Sequence, residues 1–304
     1  MDHRKGILYA MVTASFWGFM AIILKFITYE LPPFTVVWFR FFFAFLVLGT
    51  WTLIFRRSDF SIFKRPPWLL VLAAVFLAVN YSGFIAGIKY VTPSSSQIFI
   101  QIGPVSFALA GILIFKEHVN WKHIVGFVFV LVGMGLFFWE QFKDLGDEAE
   151  NLTLGMFLVL GGGLAWAAFT TSQKVLMKRL APNQINLFVY AACSLGLLPL
   201  VAFPELRGMS SVNWIILIYL GLNTVIAYGS LALAIKYTEA ARVSVIITLN
   251  PIITLISMAI LNRMEVSWIE HEAFTLMGWL GALSVIVGAI IVISAGLKKK
   301  EGQR

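Results

Sequence analysis

Ten times along the chain an apolar run is closed off by charge, proline or a polar turn. The runs lie near 6–28, 34–55, 67–88, 94–115, 122–141, 154–174, 184–203, 213–234, 242–261 and 275–296. About twenty residues of α-helix rise 30 Å, the thickness of a bilayer's hydrocarbon core. No water reaches that core, so each run must satisfy its own backbone N–H and C=O groups as a helix. The punctuation between runs is consistent: PP at 32–33, RRSDF at 56–60, KRPP at 64–67, a polar segment at 142–152 and AP at 181–182. Composition agrees, with 60% hydrophobic and 12% charged residues, against roughly 25% charged in a soluble domain. The expected fold class is an all-α integral membrane protein of ten transmembrane helices.

A net charge of +8 would suit a nucleic-acid partner, but the placement of the charges points elsewhere. With the N-terminus inside, 17 of the 23 Lys and Arg residues fall on the inner side and ten of the 15 acidic residues on the outer. This is the positive-inside bias of a multi-pass protein. It predicts a plasma (inner) membrane location, both termini cytoplasmic, membrane lipid as a partner and no nucleic acid. Arg4 and Lys5 precede a span of full length with no small-residue cleavage site, which reads as a retained first helix. Cys193 is the one cysteine and the four histidines have no ligand spacing, so no internal disulfide, metal or cofactor is expected.

The chain also repeats itself. SFWGFMAIILK at 15–25 and LAWAAFTTSQK at 164–174 place Trp17 and Trp166, and Lys25 and Lys174, 149 residues apart. Gly6 with Gly155 and Pro33 with Pro182 share that offset. At an offset of 147, IKY at 88–90 recurs at 235–237, Tyr81 falls on Tyr228 and Pro104 on Pro251. The division is a first five-helix repeat over 1–141, an outer acidic linker over 142–153, and a second repeat with a basic tail over 154–304. Five is odd, so the repeats are inverted in the membrane, an arrangement that puts a site near the midplane at their interface. Trp17 and Trp166 lie about eleven residues into their spans, roughly 16 Å deep. Lys25 and Lys174 are expected to snorkel to opposite surfaces.

These landmarks resemble the drug/metabolite transporter superfamily, in its two-domain EamA-type branch. The matching features are WG at 17–18, Arg40, Pro104 with an apolar run to KE at 116–117, and Gly126 with Gly133. Trp166, Pro251, Glu265, Gly281 and Gly288 repeat them more loosely. The second half departs where Val189 stands opposite Arg40, and where about seven extra residues separate Glu265 from Gly281. The resemblance implies ten helices around a central cavity, lined mainly by the first, third, fourth, sixth, eighth and ninth. It implies a small-molecule substrate; the superfamily moves amino acids, nucleotide sugars, sugar phosphates, nucleosides and other metabolites.

Polar side chains in the spans mark the candidate substrate-binding residues, because unpaired polar groups in hydrocarbon are costly. Gln97 and Gln101 share a helix face with Ser94, and their counterparts are Ser244 and Thr248. Each stripe precedes a proline, Pro104 or Pro251, whose ring should leave the carbonyl of Ile100 or Ile247 without its helical donor. Asn80 and Tyr81 add to the third span, Asn223 and Tyr228 to the eighth. Trp166, Thr170 and Gln173 share a face in the sixth span, opposite Thr13 and Trp17 in the first. Asn250 stands at the second break. The competing use for all of these is hydrogen bonding between helices. Arg40, about seven residues inside the second span, is expected to be structural, its head reaching outward or to a carbonyl; the alternative is attraction of an anion. Gly126, Gly133, Gly281 and Gly288 suit close packing of the fifth and tenth spans, with a homodimer surface as the other use.

The expectation is a secondary-active or facilitative transporter, an exporter of small metabolites such as amino acids, working by alternating access. A nucleotide-sugar, nucleoside or other metabolite exchanger is the alternative; a membrane receptor or scaffold is the reading outside transport. Catalytic residues are not expected: no nucleophile, acid–base pair or metal cluster lies at an interface. No Asp or Glu falls mid-span, so the carboxylate of the superfamily's small multidrug pumps is missing.

Overall fold

The computed structural model describes residues 3–116, 120–142, 149–272 and 275–297, and among these all regular structure is helical. The α-helices are α1 (His3–Glu30), α2 (Pro33–Phe55), α3 (Trp68–Ile88), α4 (Pro93–Phe99), α5 (Ile102–Leu113), α6 (Trp121–Phe142), α7 (Ala149–Leu176), α8 (Pro182–Leu197), α9 (Phe203–Arg207), α10 (Ser211–Tyr237), α11 (Ala240–Ile247), α12 (Asn250–Arg263) and α13 (Leu276–Leu297). Among the described residues, seven helical segments are long and apolar enough to cross a membrane. Large apolar side chains such as Leu8, Ile54, Leu195, Ile215 and Leu283 are exposed on the outside of the bundle. In water such a surface would drive association; here it is the face that lipid covers. Glu117, residues 143–148 of the acidic linker and the basic tail from 298 lie outside the described residues.

Helix boundaries follow local chemistry. Pro33, Pro93 and Pro182 each occupy a first helical position, where the missing N–H costs nothing. The hydroxyls of Thr92 and Ser210 accept from the N–H groups of Ser95 and Asn213 and so cap α4 and α10. α5 and α12 both run out into residues of positive φ, Lys116 at 55° and Glu265 at 50°, and these two positions are again 149 apart.

The fourth and ninth apolar runs are each broken. α4 stops at Phe99 and α5 starts at Ile102; α11 stops at Ile247 and α12 starts at Asn250. The expected orphan carbonyl at Ile100 is corrected by the geometry, because the chain tightens and Gly103 N–H donates to it at 2.9 Å. The proline thus shortens the hydrogen-bond reach by one residue instead of emptying it.

Glycines set which helices touch. A Cβ at Gly83 would lie 2.8 Å from the Leu158 carbonyl oxygen, and one at Gly162 would lie 3.1 Å from that of Asn80, so α3 and α7 meet backbone to backbone. α1 and α10 also pack together, with Thr13 donating to the Ala227 carbonyl at 3.1 Å. α6 and α13 form a third close pair: Cβ atoms at Gly133 and Gly288 would lie 2.6 and 2.5 Å from the carbonyl oxygens of Gly281 and Gly126. Lys25 departs from its expected snorkelling. It is 4% exposed, and its ammonium turns inward to donate to the carbonyls of Lys89 and Val91, each at 3.2 Å. Those carbonyls lie just past α3, where helical partners have run out. The Lys174 ammonium sits 4.5 Å from the Phe115 ring.

Candidate functional site

A cavity of about 530 Å³ of atom-free space, its open mouth included, lies where α1, α2, α3, α4–α5, α7, α10 and α11–α12 converge. Eight of the eleven expected site residues line it: Trp17, Asn80, Tyr81, Gln97, Gln101, Trp166, Tyr228 and Asn250. The other three are buried but are not among its lining residues. Thr170 turns its hydroxyl back to the carbonyls of Trp166 and Ala167. Ser244 and Thr248 lie on the α11 side of the second break, which presents Ile247 and Asn250 to the space instead.

The aromatic residues form a connected cluster. Trp17 and Trp166 meet edge to face with ring centroids 5.8 Å apart, and Trp17 lies 5.2 Å from Tyr228. Tyr81 lies 5.5 Å from Tyr228. Such contacts fix ring orientation while leaving the polar edges available. The indole nitrogens of Trp17 and Trp166 are buried with no hydrogen-bond partner.

The amides join the two halves of the chain. Tyr228 donates to Asn80 Oδ1 at 3.2 Å, and Asn80 Nδ2 donates to the Gly162 carbonyl at 2.9 Å. Gln97 Nε2 donates to the Trp17 carbonyl at 3.1 Å. Gln101 Nε2 donates to the Gln97 carbonyl and to Asn250 Oδ1, both at 3.0 Å. Backbone carbonyls only accept, so these contacts fix which end of each amide is nitrogen. Oε1 of Gln97 and Oε1 of Gln101 are left buried without donors.

Arg40 corrects the sequence expectation. Its side chain is 1% exposed and turns into the bundle, where it joins the cavity lining. Thr224 gives its own proton to the Leu220 carbonyl, leaving its oxygen to accept from Arg40 Nε at 3.0 Å. Nη2 reaches Met20 Sδ at 3.0 Å and the Tyr81 hydroxyl at 3.4 Å, and the guanidinium stacks 4.5 Å from the Tyr81 ring centre. The signal in the sequence was its depth; what depth does not encode is direction around the helix.

Glu272 is one of the ten acidic residues that the charge bias assigns to the outer side. In the structure it is buried, and its Oε1 accepts from Ser94 N–H at 3.1 Å near the start of α4. Its chain carbonyl accepts from Asn262 Nδ2 at 2.7 Å. Burial, the dominant influence, pushes its pKa above the ordinary carboxylate range against the opposing pull of Ser94, Thr92 and Lys25. It stands in the extra stretch between Glu265 and Gly281.

Known proteins place this architecture. The model of the EamA-like transporter family matches residues 4–139 and 153–294. An "Uncharacterized inner membrane transporter YhbE" of Escherichia coli K12 is 33% identical over 288 residues, covering 94% of this chain and 90% of that protein. An "Uncharacterized transporter" of Haemophilus influenzae is 30% identical over 288 residues, with 94% of each chain covered. A crystal structure described only as that of a protein superposes with a TM-score of 0.69 at 16% identity, covering 98% of this chain and 99% of the other; it speaks to the fold alone.

Proposed function

Because the chain belongs to the EamA-like transporter family, we propose that it is a secondary-active or facilitative carrier of small metabolites such as amino acids, working outward by alternating access. A multi-pass membrane protein and a transporter role are common ground with its relatives. The substrate class and direction are our reading. So are ten transmembrane helices in two inverted repeats, both termini in the cytoplasm, and a carrier rather than a catalyst.

The observation that carries this reading is the cavity. It gathers polar and aromatic side chains from both halves, including the equivalent tryptophans Trp17 and Trp166. The paired breaks at 100–101 and 248–249 adjoin it, and interrupted helices beside a cavity are typical of carrier sites. Inversion is supported by the cross-pairing of α3 with α7 and α1 with α10. The third helix of each half then packs on the first helix of the other.

Proteoliposomes carrying the purified protein and challenged with a metabolite panel test the reading. We expect saturable flux for at least one member. Trp17→Ala and Trp166→Ala should each lower that flux about tenfold or more while leaving expression unchanged, since each removes a large contact surface. Unchanged flux in both variants would remove the cavity from the transport path.

A further inference from the structure

Among the described residues, Arg40 is a buried cation without a counter-charge. Its contacts are the neutral groups of Thr224, Tyr81 and Met20. Among the described residues no carboxylate forms an ion pair with it. A guanidinium inside a membrane bundle is normally paired or aimed into an aqueous or ligand space, and this one lines the cavity.

We propose that Arg40 is the anion-binding residue of this cavity and that the substrate is a small monocarboxylate bearing a hydrogen-bond donor and an apolar body. This rests on the transport reading above. Three observations define the class. Among the described residues lining the cavity, Arg40 alone is charged, so it balances one negative charge; a phosphate monoester, carrying nearly two, would leave charge uncompensated. The partnerless N–H groups of Trp17 and Trp166 can serve the same carboxylate, whereas Oε1 of Gln97 and Oε1 of Gln101 need a donor. An α-ammonium or α-hydroxyl group supplies that donor beside a carboxylate. Phe84, Ile85, Ile100 and Ile247 add apolar surface to the lining and accommodate the rest of the molecule.

Matched probes test this on purified protein, by thermal shift and by competition for flux. The probes are L-phenylalanine, 3-phenyllactate and 4-methylpentanoate, each with its carboxamide, and phenyl phosphate as the dianion. We expect at least one of the two donor-bearing acids to bind at least tenfold more tightly than its amide, more tightly than 4-methylpentanoate and more tightly than phenyl phosphate. Arg40→Gln should abolish the preference for acid over amide, and Arg40→Lys, which keeps the charge without the planar fork, should retain part of it. If Arg40→Gln does not fold, the acid–amide comparison in the unaltered protein decides alone. Equal binding of acids and amides, or a preference that survives in folded Arg40→Gln, overturns the anion assignment; Trp17-dependent flux of the amides would then leave the carrier reading standing. Absence of binding and flux for every probe with folded protein overturns the substrate assignment, while saturable flux of another member of the metabolite panel leaves the carrier reading standing.

Discussion

Glu272 shows at the scale of one residue how a loop can report pH. Its carboxyl group is held where burial favours the protonated form, so the folded state binds that proton more tightly than the unfolded chain does. The cost is absent below the ordinary carboxylate pKa, grows as pH rises through the raised one, and then stays constant. Glu272→Gln removes the charge and keeps the shape. Thermal unfolding in detergent should therefore find the two proteins equally stable near pH 4 and the variant more stable at pH 7.5; the reverse order at pH 7.5 would show that Lys25, Ser94 and Thr92 outweigh burial. Nothing near Glu272 in the chain announces this environment, because its partner Ser94 lies 178 residues away. Trp17 and Trp166 were legible for the opposite reason: their repetition is written along the chain, and in the fold their rings lie 5.8 Å apart. Arg40 falls between these cases. Its position in the span was readable, but its inward turn depends on the rotation of α2 against α10, which supplies Thr224.

Among the elements, the glycine contacts between α6 and α13 were legible because matched seven-residue spacing is a one-helix property. Their severity was not. A side chain at Gly288 would be driven into the Gly126 carbonyl and the Val130 nitrogen, 2.5 and 2.7 Å from the new Cβ. Gly288→Leu should destabilise the protein by about 1–3 kcal/mol, the usual cost of overpacking, visible as a lower thermal midpoint. Gly135→Ala is the control: the Cβ there meets nothing within 4 Å, and alanine favours helix. The breaks at 100–101 and 248–249 were half legible. Proline reveals that a helix must yield, but not that it yields through a tight turn, since that choice depends on the local fit of Gly103 against Gly163 and Trp166.

For the whole molecule, apolar length sufficed for an all-helical membrane class, while the interleaving of the two halves of the chain required contacts that no local pattern encodes. α1 lies on α10 and α3 on α7, so neither half buries its polar faces alone. If a protease site is placed within 143–148 and cut after purification, the two halves should migrate as one complex in size-exclusion chromatography; separation would contradict the cross-pairing. The same interleaving imposes a schedule on synthesis. His3 rests on Thr238, 235 residues later, and at 5–20 residues per second the ribosome needs roughly 10–50 s to cover that distance. For that interval the first helix sits in the bilayer without its neighbour, and Thr13 can meet its hydrogen-bonding need by donating to the Tyr9 carbonyl one turn below.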